Sequence, residues 1–247
     1  MLYKIRLKAR EKQAECSTIL FLSFFIAVLT LFAFNLLPMV FTATVKPLLT
    51  DNYKLLTLIV SGVILSGTLI FYNAFSFGCD RFMLKRAENT VAGAGDIFYY
   101  FAPSRLVSLC GFLIAFFLRK MTALVLLSVP WIVCTVVLYY LCEGGFSAAV
   151  CVIFAIFTVL FFLLSLFTFS RICDTYFPVK YRYIKGDYIN FRQLFSDSQM
   201  SMMTKLKRLR KMKGSFVGWF MLCIFVVPIP YVWSYYRQCK ACFAAEI

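Results

Sequence analysis

Long apolar runs alternate with short polar segments along this chain, and the runs define its predicted elements. A helix needs about 20 apolar residues to cross the roughly 30 Å hydrocarbon core of a bilayer. Five runs reach that length: residues 17–42, 55–77, 121–141, 147–170 and 215–236. The pattern therefore predicts an all-α, polytopic membrane protein. We expect a single integral membrane domain over residues 1–247, with about five to six transmembrane helices plus cytoplasmic amphipathic helices.

A shorter apolar element at residues 106–118 leaves the number of transmembrane helices open. Its 13 residues would rise only about 20 Å as a helix, well short of the bilayer core. Arg119 and Lys120 separate it from the run at 121–141. The element is either a short interfacial or re-entrant piece before a full span, or the first of two full spans.

The distribution of Lys and Arg favours the first alternative, because cytoplasmic loops carry an excess of these residues. If 106–118 does not cross alone, 22 of the 26 cations lie on the N-terminal side of the membrane. The four on the other side are Lys46, Lys54, Arg237 and Lys240. We therefore expect a multi-pass protein of the cell membrane with a cytoplasmic N-terminus.

The last predicted span is interrupted by Pro228-Ile229-Pro230. Two prolines remove backbone donors and disfavour helix in the residues just before them. The pattern favours a kinked crossing that leaves the C-terminus outside, which gives five spans. A hairpin that returns the tail to the cytoplasm stays open.

A basic amphipathic segment, residues 191–213, precedes that span. Its apolar positions recur at spacings of three, four or seven: Phe191, Phe195, Met202, Leu206 and Leu209. The cations on its other faces are Lys205, Lys207, Arg208, Arg210, Lys211 and Lys213. This pattern predicts a helix lying in the headgroup layer, where each cation contributes about 1 kcal/mol of attraction to anionic lipid.

A polar interruption follows the second predicted span and carries a candidate cytoplasmic cluster of Arg86, Glu88, Asp96 and Arg105. Glu88 and Asp96 could together hold a divalent cation against a lipid phosphate. Salt bridges from these carboxylates to Arg86 or Arg105 are the alternative, and we favour it.

Composition removes several function classes. With 62% hydrophobic residues, the chain is too apolar for a soluble globule. It has no histidine, which excludes imidazole-based catalysis and imidazole zinc ligands. The C-x-x-C at Cys239 and Cys242 has no second pair, so we expect no metal, no cofactor and no catalytic residue. Cations clustered beside apolar runs indicate membrane orientation, so no nucleic-acid partner is expected.

Two stretches resemble a bacterial family of integral membrane proteins that is distantly related to the membrane portion of glycerophosphoryl diester phosphodiesterases. The first is Arg86-Ala87-Glu88 followed by Asp96-Ile97-Phe98 and Phe101. The second is Ser198, Met202 and Lys205 leading to Ser215-Phe216-Val217-Gly218-Trp219, then Pro230-Tyr231 and Phe243. The chain departs from the family in its expanded basic run at 205–213 and in its proline break. The resemblance implies a polytopic bacterial membrane protein and no assigned reaction.

Three hypotheses for function follow. The leading one is a non-enzymatic protein that contacts anionic membrane lipid or a membrane-protein partner through a basic cytoplasmic face. The alternative is a small-molecule or lipid transporter, or a transporter subunit, that uses broken helices at 105–120 and 228–230. A third is a subunit or immunity-type factor of a larger membrane assembly.

Overall fold

The computed structural model describes residues 2–45, 53–186, 190–223 and 229–246. Within these ranges the chain forms α-helices and two short 3-10 turns, and no strand. The helices are α1 (Leu2–Val45), α2 (Tyr53–Ala87), α3 (Pro103–Glu143), α4 (Ala148–Thr175), α5 (Phe177–Lys185), α6 (Phe191–Met203), α7 (Leu206–Gly214), α8 (Val217–Leu222) and α9 (Ile229–Ala245). The turns are Ala94–Asp96 and Tyr99–Phe101.

Three stretches of described helix are long and apolar enough to cross a membrane: Leu58–Ala87, Pro103–Glu143 and Ala148–Lys185. In α1 the described apolar helix is the shorter Phe21–Thr30, and several other side chains of the predicted span 17–42 lie outside the described residues. The all-helical fold and the membrane class are confirmed. The expected count of five to six spans is not.

The apolar element at 106–118 and the predicted span at 121–141 belong to one continuous helix, α3. Its 41 residues rise about 60 Å, roughly twice the thickness of the hydrocarbon core. Arg119 and Lys120 lie inside it, because both are good helix formers and no Gly or Pro stands at the junction. The expected break before residue 121 is therefore wrong, and 106–118 is the N-terminal part of a long helix.

The described helices form two compact units. The first comprises Met1–Cys110, Tyr181–Asp187 and Lys207–Ile247, and the second comprises Gly111–Lys180 and Tyr188–Leu206. In the first unit α9 packs against both α1 and α2. Small side chains at Ala9, Ala74 and Ala241 are buried there, so the three backbones can approach closely.

The two ends of the last predicted span, residues 215–236, touch each other. The Phe216 ring centroid lies 5.1 Å from that of Tyr236 and 5.4 Å from that of Tyr235. A continuous helix of 22 residues would hold its ends about 33 Å apart. The favoured kinked crossing is therefore wrong, because Tyr235 and Tyr236 lie at the same end of the first unit as Phe216.

Proline placement explains this return. Pro230 lies in the first turn of α9, where its missing N–H leaves no helical bond unmade and its fixed φ suits the helix. Pro228 lies outside the described residues. Beyond the return, the Tyr235 hydroxyl donates to the Arg6 carbonyl oxygen at 3.4 Å. Pro230 thus begins a helix that packs on the N-terminal helix.

A buried ion pair joins α9 to α2. Arg237 Nη2 and Nε lie 2.7 and 3.2 Å from Asp80 Oδ1. Nη2 also donates to the Ser76 carbonyl oxygen at 3.1 Å and is 3.3 Å from the Ser76 hydroxyl. The Arg237 and Asp80 side chains are only 11% and 6% exposed. This pair fixes the C-terminal helix beside the end of α2.

In the second unit, α3 and α4 form a hairpin. Gly145, at φ +69°, provides the left-handed turn between them. The Ser165 hydroxyl donates to the Leu127 carbonyl oxygen at 2.6 Å, and the Trp131 and Phe162 rings lie 5.5 Å apart.

Helix α6 packs against this hairpin. The Phe195 ring stacks on Phe112 at 6.4 Å and on Phe116 at 6.2 Å, and it meets Tyr176 edge-on at 5.9 Å. Phe195 is 1% exposed. The cluster buries the apolar face of α6 inside the unit.

Candidate functional site

The predicted amphipathic helix at 191–213 is two helices in the structure, α6 and α7, separated at Thr204 and Lys205. The apolar positions Leu209 and Met212 of α7 are both fully buried at 0% exposure. The apolar faces of α6 and α7 therefore pack on protein. The fold itself supplies the apolar environment of this face, and the prediction that the segment lies in the headgroup layer stays a prediction.

The six cations predicted to bind lipid headgroups fall into two groups. Lys207, Arg208 and Lys211 are exposed. The other three are half-buried: Lys205, Arg210 and Lys213. A rigid helix thus turns three cations outward, and no described contact tests what they bind.

The position of α7 along the first unit can be measured against α1. The Ser215 carbonyl oxygen accepts a hydrogen bond from Arg6 Nη2 at 3.4 Å. If the first span begins at Ser17, 11 residues of helix separate this point from the hydrocarbon core, about 17 Å. The headgroup region adds only about 5 to 8 Å on each side. The C-terminal end of α7 then lies beyond that layer.

Asp96 is the centre of the polar cluster. Its Oδ1 accepts from Lys85 Nζ at 2.7 Å and from Arg81 Nε at 3.1 Å. Its Oδ2 accepts from the backbone N–H of Gly93 at 3.1 Å. The side chain is 11% exposed, so these bonds replace most of its hydration. The partners predicted from sequence, Arg86 and Arg105, are not among them.

Arg105 joins the cluster through an aromatic ring. The guanidinium carbons of Arg81 and Arg105 each lie 3.6 Å from the Tyr99 ring centroid. Two guanidinium groups this close to one centroid can only lie on opposite faces of the ring. Each such contact contributes about 0.5–2 kcal/mol. Tyr99 therefore holds both arginines in place.

Glu88 makes a separate ion pair, with Lys185 Nζ at 2.6 Å. Arg86 lies over the Phe82 ring at 5.6 Å. Both carboxylates of the cluster are thus engaged by cations, and among the described residues no group of three or more His, Cys, Asp or Glu side chains could hold a metal ion. The salt-bridge alternative describes the cluster better than the divalent cation.

Sequence reasoning missed the residues that hold the cluster together. Arg81 and Lys85 are four residues apart on α2, so they share a helix face, and that spacing was a usable signal. Lys185 gave no signal, because its distance from Glu88 along the chain depends on tertiary packing. Tyr99 lies in the aromatic run 98–101, and the run by itself does not single out one ring.

The carboxyl of Asp96 gives a prediction for pH dependence. Burial raises its pKa, but the bonds from Lys85, Gly93 and Arg81 outweigh burial and hold the pKa below its ordinary value of 3.8. A depressed pKa stabilises the fold above the unfolded value, and this contribution is lost as pH falls through the folded one. Asp96→Asn should therefore cost about 1–2 kcal/mol at pH 7, and the difference from wild type should narrow as the pH falls below the ordinary value of 3.8.

Thermal unfolding of the detergent-solubilised protein between pH 7 and about pH 2 measures this difference. Asp197→Asn is the matched control, because the described residues show no ion pair at Asp197. A stability gap at Asp96 that does not narrow between pH 3.8 and about pH 2 would contradict the ion-paired assignment.

Comparison of the chain with protein-family models, with curated proteins and with solved structures found no match. The resemblance to the membrane portion of glycerophosphoryl diester phosphodiesterases therefore stays a prediction.

Proposed function

We propose that this is a non-enzymatic, multi-pass protein of the cell membrane that docks an acidic protein partner at its cytoplasmic end. One observation carries the proposal. Helix α7 buries Leu209 and Met212 and turns Lys207, Arg208 and Lys211 outward. These three cations form the basic face, which is held rigidly by the protein and faces away from its core.

Charge distribution supports a cytoplasmic N-terminus. Because the chain returns after α8, Arg237 lies beside Asp80 of α2 and Tyr235 lies beside Arg6 of α1. Arg237 and Lys240 then join the N-terminal side of the membrane, which raises its share to 24 of the 26 cations. An excess of Lys and Arg of this size on one side of the membrane is typical of the cytoplasmic side.

The distance from the membrane favours a protein partner over lipid. The C-terminal end of α7 lies about 17 Å from the predicted start of the first span, and even a tilt of about 30° reduces this only to about 14 Å. The electrostatic screening length at physiological salt is about 8 Å. The headgroups occupy about the first 5 to 8 Å of this distance, so the last turn of α7 lies about one screening length beyond them and their attraction to its cations is weakened.

The composition of the segments that follow α7 in the chain also favours a protein. Trp219 and Met221 of α8 are 44% and 64% exposed, and Trp233 of α9 is 37% exposed. Exposed Trp and Met are enriched at protein interfaces. Together with the cations of α7, such side chains fit a partner that offers both carboxylates and an apolar contact.

The transporter alternative loses one of its two supports. It required broken helices at 105–120 and 228–230, but α3 is continuous through the first of these. In the second, Pro228 lies outside the described residues, and Ile229 and Pro230 begin α9. No observation at the polar cluster favours transport, so we propose no second function.

Photo-crosslinking tests the proposal. A photoreactive amino acid at Met221 should form one discrete product with an acidic protein in intact cells. Reversing the basic face with Lys207→Glu, Arg208→Glu and Lys211→Glu should reduce that product at least tenfold, because three surface charges at about 0.5–1 kcal/mol each are inverted. Band intensity on denaturing gels measures the change.

The control exchanges the cations without changing charge, as Lys207→Arg, Arg208→Lys and Lys211→Arg, and should keep the product. Crosslinks to lipid alone would favour headgroup contact and refute the protein partner. Labelling of residues 171–214 from outside the cell would refute the orientation.

A further inference from the structure

A polar cleft of about 430 Å³ lies at the end of α2, in the first unit. Three cations line it: Arg81, Lys85 and Lys185. Glu88 is its lining carboxylate, and Leu84 and Ile184 form an apolar wall. With Asp96 included, the three cations face two carboxylates. The cleft therefore keeps a surplus of positive charge.

The two lysines retain donors for a ligand. An ammonium group has three N–H donors. One donor of Lys85 reaches Asp96 at 2.7 Å, and one donor of Lys185 reaches Glu88 at 2.6 Å. The side chains remain 33% and 28% exposed. Both can therefore donate to an anion in the cleft without giving up their ion pairs.

Arg81 provides the fixed part of the site. Its Nε bonds Asp96 at 3.1 Å, its Nη1 donates to the Ile184 carbonyl oxygen at 3.4 Å, and its guanidinium stacks on Tyr99. Three separate contacts hold the side chain in one position. A positive charge held in this way is preorganised for an anion, which reduces the entropy lost on binding.

We infer that this cleft binds the phosphate group of a phosphorylated ligand. A tetrahedral oxyanion accepts hydrogen bonds from several directions, and it fits a cleft that is lined by one lysine of α2 and one of α5. The wall of Leu84 and Ile184 faces the organic part of a phosphate ester. Helix α2 runs ten residues past Phe77, the last residue of its predicted span, to Ala87. Counted from Phe77, the cleft begins about 6 Å beyond the hydrocarbon core at Arg81 and reaches about 12 Å at Lys85. Most of it then lies outside the headgroup layer of about 5–8 Å, which favours a soluble ligand over a lipid headgroup.

Titration of inorganic phosphate into the full-length protein tests this site. The protein is placed in nanodiscs of neutral phosphatidylcholine, and binding is followed by calorimetry and by the thermal unfolding midpoint. Lys85→Gln and Lys185→Gln should each weaken phosphate binding about tenfold, since each removes a charge-assisted hydrogen bond. Lys4→Gln on α1, at an exposed position outside both the cleft and the basic face, makes the same change of charge and should leave binding within about twofold.

Glu88→Gln provides a test with the opposite sign. It removes the lining carboxylate, so it should strengthen phosphate binding several-fold, which mere damage to the fold would not do. This variant also keeps the inference testable if Lys85→Gln fails to fold. No gain at Glu88→Gln, or an equal loss at Lys4→Gln and Lys185→Gln, would overturn the site.

A second set of titrations distinguishes a soluble phosphorylated ligand from a lipid headgroup. Nanodiscs that contain phosphatidylglycerol replace the neutral ones. Undiminished binding of inorganic phosphate assigns the site to a soluble ligand, as inferred here. Competition by phosphatidylglycerol that Lys185→Gln removes would overturn the soluble source and assign the same chemistry to a headgroup. The outcome is independent of the partner at the basic face, because none of Lys207, Arg208 and Lys211 lines the cleft.

Discussion

Replacing Gly78 by alanine should destabilise the first unit by about 3 kcal/mol or more. A Cβ built on Gly78 would lie 1.8 Å from the Ile97 carbonyl oxygen and 2.6 Å from its carbonyl carbon. Both are backbone atoms, so no side chain can rotate away. The turn that contains Asp96 must move, and the ion pairs from Arg81 and Lys85 to Asp96 then lengthen or break.

Gly62→Ala is the matched control, because it makes the same substitution in the same helix. Among the described residues nothing lies within 4 Å of a Cβ at Gly62, so its effect should stay within about 1 kcal/mol. Denaturant titration of both variants in the same detergent measures the difference in the free energy of unfolding. Equal stabilities would show that the turn at Ile97 does not lie against α2.

The helices and the membrane class are predictable because they depend on local pattern. An apolar run of about 20 residues has few alternatives in lipid, since only a helix satisfies its backbone bonds within one segment. The same logic misplaced the ends of α3. Hydropathy falls at Arg119 and Lys120. A helix that is longer than the bilayer is thick can nevertheless continue through charged residues with the same backbone conformation.

The return before α9 and the division between α6 and α7 depend on packing, which one sequence does not display. Pro230 fits both a kink and a helix start, and the contact between Phe216 and Tyr236 distinguishes them. In the same way, spacing shows that Leu209 and Met212 share an apolar face. Whether lipid or protein covers that face is decided by distant segments of the chain.

The polar cluster shows the same limit. Residue types indicated salt bridges, and the structure contains them, but with Arg81, Lys85 and Lys185 as the cations. Helical spacing reveals two of these three. The third is brought to Glu88 by α5, and nothing local in the sequence marks that approach.

Breaking the pair between Arg237 and Asp80 should cost about 3–5 kcal/mol, because removal of one partner leaves the other charge buried and unpaired. Arg237→Gln removes the charge that Asp80 accepts at 2.7 Å. Asp80→Asn should have a cost of similar size. Lys240→Gln, one turn further along α9, is the control. Lys240 lies over the Tyr236 ring at 4.1 Å, and its loss should cost less than about 1 kcal/mol.

A double-mutant cycle at Arg237 and Asp80 tests whether the last predicted span returns to the side of the membrane on which it began. If Arg237 and Asp80 touch, the double variant Asp80→Asn with Arg237→Gln should be less destabilised than the sum of the single variants, by about 1–3 kcal/mol. If residues 215–236 crossed the membrane instead, Arg237 would lie on the opposite side from Asp80. The losses of unfolding free energy in the two single variants would then simply add. That result would also contradict the packing of α9 on α1 and α2.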